Sequence, residues 1–254
     1  MNQNPASESG KCDLCKGSGW QLYRGRVFAY GEPMDLDFAK KCPKCSGILR
    51  SQDRTGVPDE FREADIQKFN FTAYSVDITK LKNIAWSMLN DYKRWSNYGK
   101  GLYLWSKTPG SGKTFLACCI GKSIMIKHDQ QMRFITAPDY ISLVGESYKR
   151  ERGEQDSSSV YRECSILILD DIGTQIDKEW QRQEIFRLVN HRMANGLITI
   201  YTSNSPVERL NVEERTMDRI IKTSVVLQMP EESIRRKKAR NEQNQFLEAI
   251  NGIN

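Results

Sequence analysis

The stretch KTPGSGKTFLACCI, residues 107 to 120, sets two glycines ahead of a lysine, a threonine and an apolar run. A helix that starts right after a glycine-rich turn aims its free backbone N–H groups and its positive dipole end into that turn, which suits a phosphate. Gly110 and Gly112 let the backbone wrap closely round a β-phosphate, Lys113 can reach the β- and γ-phosphates, and the Thr114 hydroxyl can ligate Mg²⁺. The binding stretch therefore runs through Pro109, Gly110, Ser111, Gly112, Lys113, Thr114 and Phe115. The usual pattern G-x-x-x-x-G-K-[ST] begins on glycine where this chain has Lys107. That departure matters less physically, because the later glycines make the close approach to phosphate. The competing reading is an ordinary strand-to-helix turn with an incidental lysine.

Working outward, the short apolar run GLYLWS leads straight into the turn, and the apolar-rich segment 113–127 leaves it as a helix. The pattern then alternates: strand MRFITA, a helix after Pro138, strand SILILD, helix 178–194, strand LITIYTS, helix 213–222, strand SVVLQM and a C-terminal helix from about 231. Continuous apolar strands separated by helices indicate a parallel sheet covered on both faces. Before the turn, Ile78, Leu81, Ile84, Ala85, Met88, Leu89 and Tyr92 share one face at helical spacing, with Asp77 placed to cap the helix. The expected core is α/β.

Two strand ends carry further chemistry. SILILDDIG, residues 165 to 173, ends in two aspartates, and a carboxylate at that end of a strand is where nucleotide-bound Mg²⁺ is held. Asp170 is expected to hold the metal and Asp171 to polarise the attacking water; the alternative is a pair of acids that merely starts a turn. LITIYTSNSP, residues 197 to 206, ends in Asn204, whose amide can orient a lytic water or contact a γ-phosphate. Asn before Ser-Pro is also a common turn signal.

The 254 residues, 39% hydrophobic and 28% charged, suffice for one sizeable core and a small appended module. The net charge of +6 permits a polyanionic partner without demanding one. Nothing resembles a membrane span, and the polar start MNQNPASESG lacks the apolar core of a secretory signal, so a cytoplasmic protein without membrane contact is expected. Of seven cysteines, four form the pairs CDLC (Cys12, Cys15) and CPKC (Cys42, Cys45), which suit tetrahedral Zn²⁺ in a structural Cys₄ site. A redox dithiol is the alternative, without a thioredoxin-like pattern to support it. The segment QLYRGRVFAYG between the pairs reads as a hairpin. The expected organisation is a tail over 1–10, a zinc module over 11–50, a polar linker over 51–68 and the nucleotide-binding domain over 69–254. YISLVGESYKRERGEQ, residues 140 to 155, adds Tyr148, Lys149, Arg150 and Arg152, together with Tyr140. Aromatic faces beside cations suit single-stranded nucleic acid; a solvated helix end whose tyrosines pack inward is the rival reading.

In order and spacing, WSKTPGSGKTFLA, LILDDIG, TSN, ERTMDRI and ESIRR resemble the AAA+ ATPases of the DnaC/DnaI helicase-loader group, whose relatives include IstB transposition helpers. The resemblance spans roughly residues 69 to 240 and includes the aromatic entry segment FNFTAY. It implies an AAA+ P-loop sheet with helices on both faces, ATP as the nucleotide, and a replicative helicase and single-stranded DNA as partners. By the same resemblance Lys113 and Thr114 are Walker A residues, Asp170 and Asp171 Walker B, Asn204 sensor 1, Arg219 an arginine finger and Arg235 a sensor 2 arginine. A finger acts on a neighbour's γ-phosphate, so it implies self-association. Arg215 is the rival finger, and Arg235 also belongs to the charged run RRKKAR.

Overall fold

A computed structural model describes residues 14–15, 20–29, 32–42, 55–148, 157–174 and 176–251, in two compact units, Met1–Gly56 and Val57–Asn254. In the first unit, strands β1 (Trp20–Ala29) and β2 (Glu32–Lys41) pair antiparallel, with Trp20 opposite Lys41. The expected hairpin is present but larger than QLYRGRVFAYG: its second strand is EPMDLDFAKK. Met34, Leu36 and Phe38 alternate there with Asp35 and Asp37, the period of a two-faced strand. One face carries two cross-strand ion pairs, Arg24–Asp37 and Arg26–Asp35, each at 2.9 Å. The other stacks Tyr23 on Phe38, ring centres 5.5 Å apart.

The second unit runs α1 (Thr79–Asn90), α2 (Tyr92–Asn97), β3 (Gly101–Trp105), α3 (Lys113–His128), β4 (Met132–Thr136), α4 (Ala137–Ser147), α5 (Ser159–Glu163) and β5 (Ile166–Asp170). It continues through α6 (Glu179–Ala194), β6 (Ile198–Ser203), α7 (Glu214–Thr223), β7 (Ser224–Gln228) and α8 (Ile234–Asn251). Five strands form one sheet in the order β4-β5-β6-β3-β7, every pair parallel. Side-chain alternation sorts each strand between two cores: Leu102, Leu104, Ile166, Ile168, Ile198 and Ile200 on one face, Tyr103, Leu167, Leu169 and Tyr201 on the other. Helix α3 fills the first core and is apolar almost all round, as a helix covered on every side must be. Gly121 lets it press on the sheet, since a Cβ there would lie 2.7 Å from Met132 Sδ.

Three expectations are corrected. The linker expected over 51–68 is shorter, because residues from Val57 onward belong to the core unit. Of the short 3₁₀ turns at Asp59–Phe61 and Ile66–Lys68 the second buries Ile66, Ala64 is buried between them, and the Ile66 N–H donates to Ser123 Oγ of α3 at 3.1 Å. Such turns have no long apolar period, so polar composition hid them. The first helix breaks at Asp91, whose non-helical backbone (φ −121°, ψ 42°) redirects the chain so that Tyr92 packs beside His128. The capping position falls on Ile78, which makes no side-chain cap, and not on Asp77 as expected; Asp77, one residue earlier, accepts from the Thr79 N–H at 2.8 Å.

Candidate functional site

Strand β3 delivers the chain into the glycine turn, and α3 begins on Lys113. Gly110 (φ 76°) and Gly112 (φ 92°) hold the left-handed conformations, whereas Lys107 does not, which is why no glycine is needed there. Added Cβ atoms would strike Arg235 Cβ and Ser233 Oγ at 2.9 Å from Gly110, and Tyr74 Oη at 2.7 Å from Gly112. Lys113 is buried, and its Nζ donates to the Ser106 and Thr108 carbonyls at 3.3 Å each and to Ser111 Oγ at 3.2 Å. Burial lowers its pKa; Asp171, Glu231 and Asp170 push it back up. A cleft of about 410 Å³ opens here, lined by Phe61, Gly112, Thr114, Phe115, Arg235 and Lys238 among others. Pro109 lies exposed at the turn's outer edge.

Because β6 lies between β3 and β5, the turn and both acids meet at the carboxyl ends of neighbouring strands, where open parallel sheets bind ligands. Thr202 joins the acids: its hydroxyl donates to Asp170 Oδ1 at 2.5 Å and accepts the Asp171 N–H at 3.0 Å. Asp171 has φ 58°, a left-handed backbone uncommon for a residue with a side chain. The Asn204 amide donates to Asp171 Oδ1 at 3.1 Å. Burial raises the pKa of Asp170, against hydroxyl bonds from Thr202 and Thr114 that favour its charged form. The Thr114 hydroxyl and the Asp170 carboxylate are thus neighbouring hard oxygen donors, a set that fits Mg²⁺.

Three residues escaped sequence reasoning. Glu231 accepts from the backbone N–H groups of Lys107 (3.0 Å) and Thr108 (2.8 Å), and from the hydroxyls of Thr108 (2.8 Å) and Ser106 (3.2 Å). Tyr74 Oη donates to the Ser111 carbonyl at 2.8 Å, and Thr202 bridges the aspartates as described. Only Tyr74, inside the aromatic entry segment, carried a sequence signal.

The remaining predicted residues lie as follows. Arg235 borders the turn, its N–H donating to the Gly110 carbonyl at 3.2 Å. Arg219 sits apart on α7: its Nε donates to Asn190 Oδ1 at 2.9 Å and its Nη1 to the Arg215 carbonyl at 2.7 Å. Arg215 pairs with Glu213, and both guanidiniums lie over the Phe186 ring, at 4.0 Å for Arg215 and 4.8 Å for Arg219. Tyr140 is buried, so the inward-packing reading holds for it, while Tyr148 is 64% exposed with its hydroxyl donating to Glu184 Oε1 at 2.6 Å. Lys149, Arg150 and Arg152 lie outside the described residues, as do Cys12 and Cys45. Cys15 and Cys42 are buried. Cys42 follows Lys41 directly and Lys41 pairs with Trp20, so the chain carrying CDLC enters the hairpin at the end where CPKC leaves it. No group of three or more metal-binding side chains is assembled among the described residues, and no helix there is long and apolar enough to cross a membrane.

A family model described as IstB-like ATP binding protein matches residues 61–242. The replicative helicase loader DnaI of Bacillus subtilis (strain 168) is 30% identical over 201 residues, which is 73% of this chain and 60% of DnaI. The replicative helicase loader DnaC of Escherichia coli (strain K12) is 24% identical over 157 residues, 61% of this chain and 63% of DnaC. The chain therefore spans about six-tenths of the length of the curated relatives it matches. A crystal structure of the DnaC helicase loader superposes with a TM-score of 0.59 at 21% identity, covering 68% of this chain and all of that one. The replication initiator DnaA bound to AMPPCP and single-stranded DNA gives 0.55 at 18% identity, covering 66% of this chain and 50% of that one. The fold is the AAA+ P-loop α/β fold, and the chain belongs to the IstB-like ATP binding protein family.

Proposed function

We propose, with membership of that ATP-binding family as premise, that this chain is an ATP-hydrolysing helicase loader. It binds a replicative, DnaB-type helicase through its N-terminal module and delivers it to single-stranded DNA. The observation that carries the hydrolytic part is the Asn204–Asp171 pair, held beside the glycine turn by Thr202. Asp171 accepts the proton side of an attacking water while Asn204 fixes the water's direction. Backbone N–H groups of residues 110 to 114 cradle phosphate oxygens, and Lys113 turns from its own loop carbonyls to them. Asp170 and Thr114 hold Mg²⁺, which neutralises charge on the phosphates. Arg235 borders the same cleft and reads the γ-phosphate. Arg219, away from its own chain's site, completes the site of a second copy, which makes nucleotide binding a switch for assembly.

The loading role is supported by the match to DnaI over 73% of this chain, and by a hairpin unit set ahead of the ATPase core, as a docking module requires. The spacing of four cysteines as CDLC and CPKC fits a structural Zn²⁺, which supplies cohesion that a two-stranded sheet lacks. The exposed Tyr148 ring, next in sequence to Lys149 and Arg150, suits stacking of a single-stranded base. The match to the IstB-like ATP binding protein model is equally compatible with a second reading, a transposition helper that assembles on duplex DNA.

Recovery of the full-length protein with its partners from host cells separates the two. A replicative helicase in the eluate, lost when Cys12 and Cys42 are replaced by serine, is the expected result. A transposase, or helicase recovery indifferent to the cysteines, would overturn the loading or docking claim respectively.

A further inference from the structure

The phosphate turn is tied from outside as well as from its own helix. From Met229, just past β7, to Arg235, in the first turn of α8, the chain ties to the end of β3 and to the turn at three places. The Met229 N–H donates to the Trp105 carbonyl at 2.7 Å, Glu231 gathers four donors from Ser106, Lys107 and Thr108, and the Arg235 N–H donates to the Gly110 carbonyl at 3.2 Å. Both oxygens of Glu231 are used, Oε1 for the Lys107 N–H and Oε2 for the Ser106 and Thr108 groups. The Lys107 side chain is exposed and takes no part, so this turn works through backbone at the position where the usual pattern has glycine.

A carboxylate beside a polyanion's seat repels its ligand. That cost is offset by Lys113, whose charged form Glu231 favours, and by order. A glycine-rich turn loses much conformational freedom on binding, and four hydrogen bonds made in advance remove part of that loss.

We propose that Glu231 is a positioning residue of the nucleotide site: its carboxylate presets the entry half of the phosphate turn and fixes that turn to the segment carrying Arg235. The inference rests on the nucleotide-binding reading. Its neighbour supplies the control. Glu232 bonds Ser75 and Lys237 and makes no contact with the turn among the described hydrogen bonds.

The test compares full-length wild type with Glu231→Ala, Glu231→Gln and Glu232→Ala. It measures affinity for fluorescent ATP and ADP at a temperature where all four are folded, and amide hydrogen exchange at residues 107 and 108. Glu231→Ala should weaken ATP and ADP by a similar factor of about ten, because both nucleotides use the same preset turn. Those two amides should exchange faster. Glu231→Gln, which keeps an acceptor oxygen, should fall between, and Glu232→Ala should match wild type. A Glu231→Ala protein that binds both nucleotides normally, or a loss shared equally by Glu232→Ala, overturns the assignment. Wild type that binds neither nucleotide would instead defeat the nucleotide reading itself.

Discussion

The sheet buries a cation at each end, and the two are held in opposite ways. At the amino ends of β5 and β6, Arg192 is 1% exposed and donates to Thr199 Oγ1 and to the carbonyls of Tyr161, Arg162, Cys164 and Ile198, at 2.6 to 3.2 Å. At the carboxyl ends, Lys113 is 7% exposed and reaches three acceptors of its own loop, none nearer than 3.2 Å. Burial disfavours charge on both. Arg192 joins the strand starts through four carbonyls and one hydroxyl, none of them in the glycine turn. The acceptors of Lys113 belong to the turn that is to receive phosphate, so its charge remains transferable. A buried cation with fixed partners is structure; one with replaceable partners is a site.

That contrast can be broken from either side. The largest stability effect is expected at Arg192: Arg192→Met orphans several buried carbonyls and should cost about 3 kcal/mol, lowering the melting temperature by roughly 10 °C. Nucleotide affinity of the folded fraction should stay as in wild type, which calorimetry and nucleotide titration on one preparation would show. Lys113→Ala should do the reverse, weakening nucleotide binding about a hundredfold at an unchanged or slightly raised melting temperature, since it removes a desolvated charge. Thr202→Val lies between them. It strips one bond each from Asp170 and Asp171 and should cost about 1–2 kcal/mol in stability together with a drop in turnover.

The smallest effect sharpens the same point through pH. Hydrogen bonds from the turn outweigh the desolvation of Glu231 and hold its pKa at about 2, below the ordinary 4.5. A group depressed on folding stabilises above its unfolded pKa and loses that contribution as pH falls through the folded one. The melting difference between wild type and Glu231→Gln should therefore be constant above about pH 5 and shrink between about 4.5 and 2. It should stay below about 1 kcal/mol, because the carboxylate is exposed to water.

Much of this was legible in the sequence. Apolar strands alternating with helices announced a doubly covered parallel sheet, and the glycine turn, the paired aspartates and Asn204 fell at strand ends in an order that predicts their convergence. Local chemistry determines such features, so a local pattern displays them. Glu231 was illegible because its partners lie more than 120 residues upstream, and its own surroundings read as a charged helix start. Thr202 looked like any β-branched strand residue. The segment from Val57 to Lys68 looked like a linker because 3₁₀ turns bury side chains without periodicity. The paired cysteines were legible as a pattern, and their joint geometry depends on Cys12 and Cys45, which lie outside the described residues.

The most direct test of a transferable charge serving hydrolysis is steady-state ATP turnover by the full-length protein, beside the same measurement on Asp171→Asn with ATP affinity recorded in parallel. The account predicts turnover in wild type, about a hundredfold less in Asp171→Asn, and near-equal affinity in both. Wild type that binds ATP without consuming it, or an Asp171→Asn protein that turns over at the wild-type rate, would contradict it.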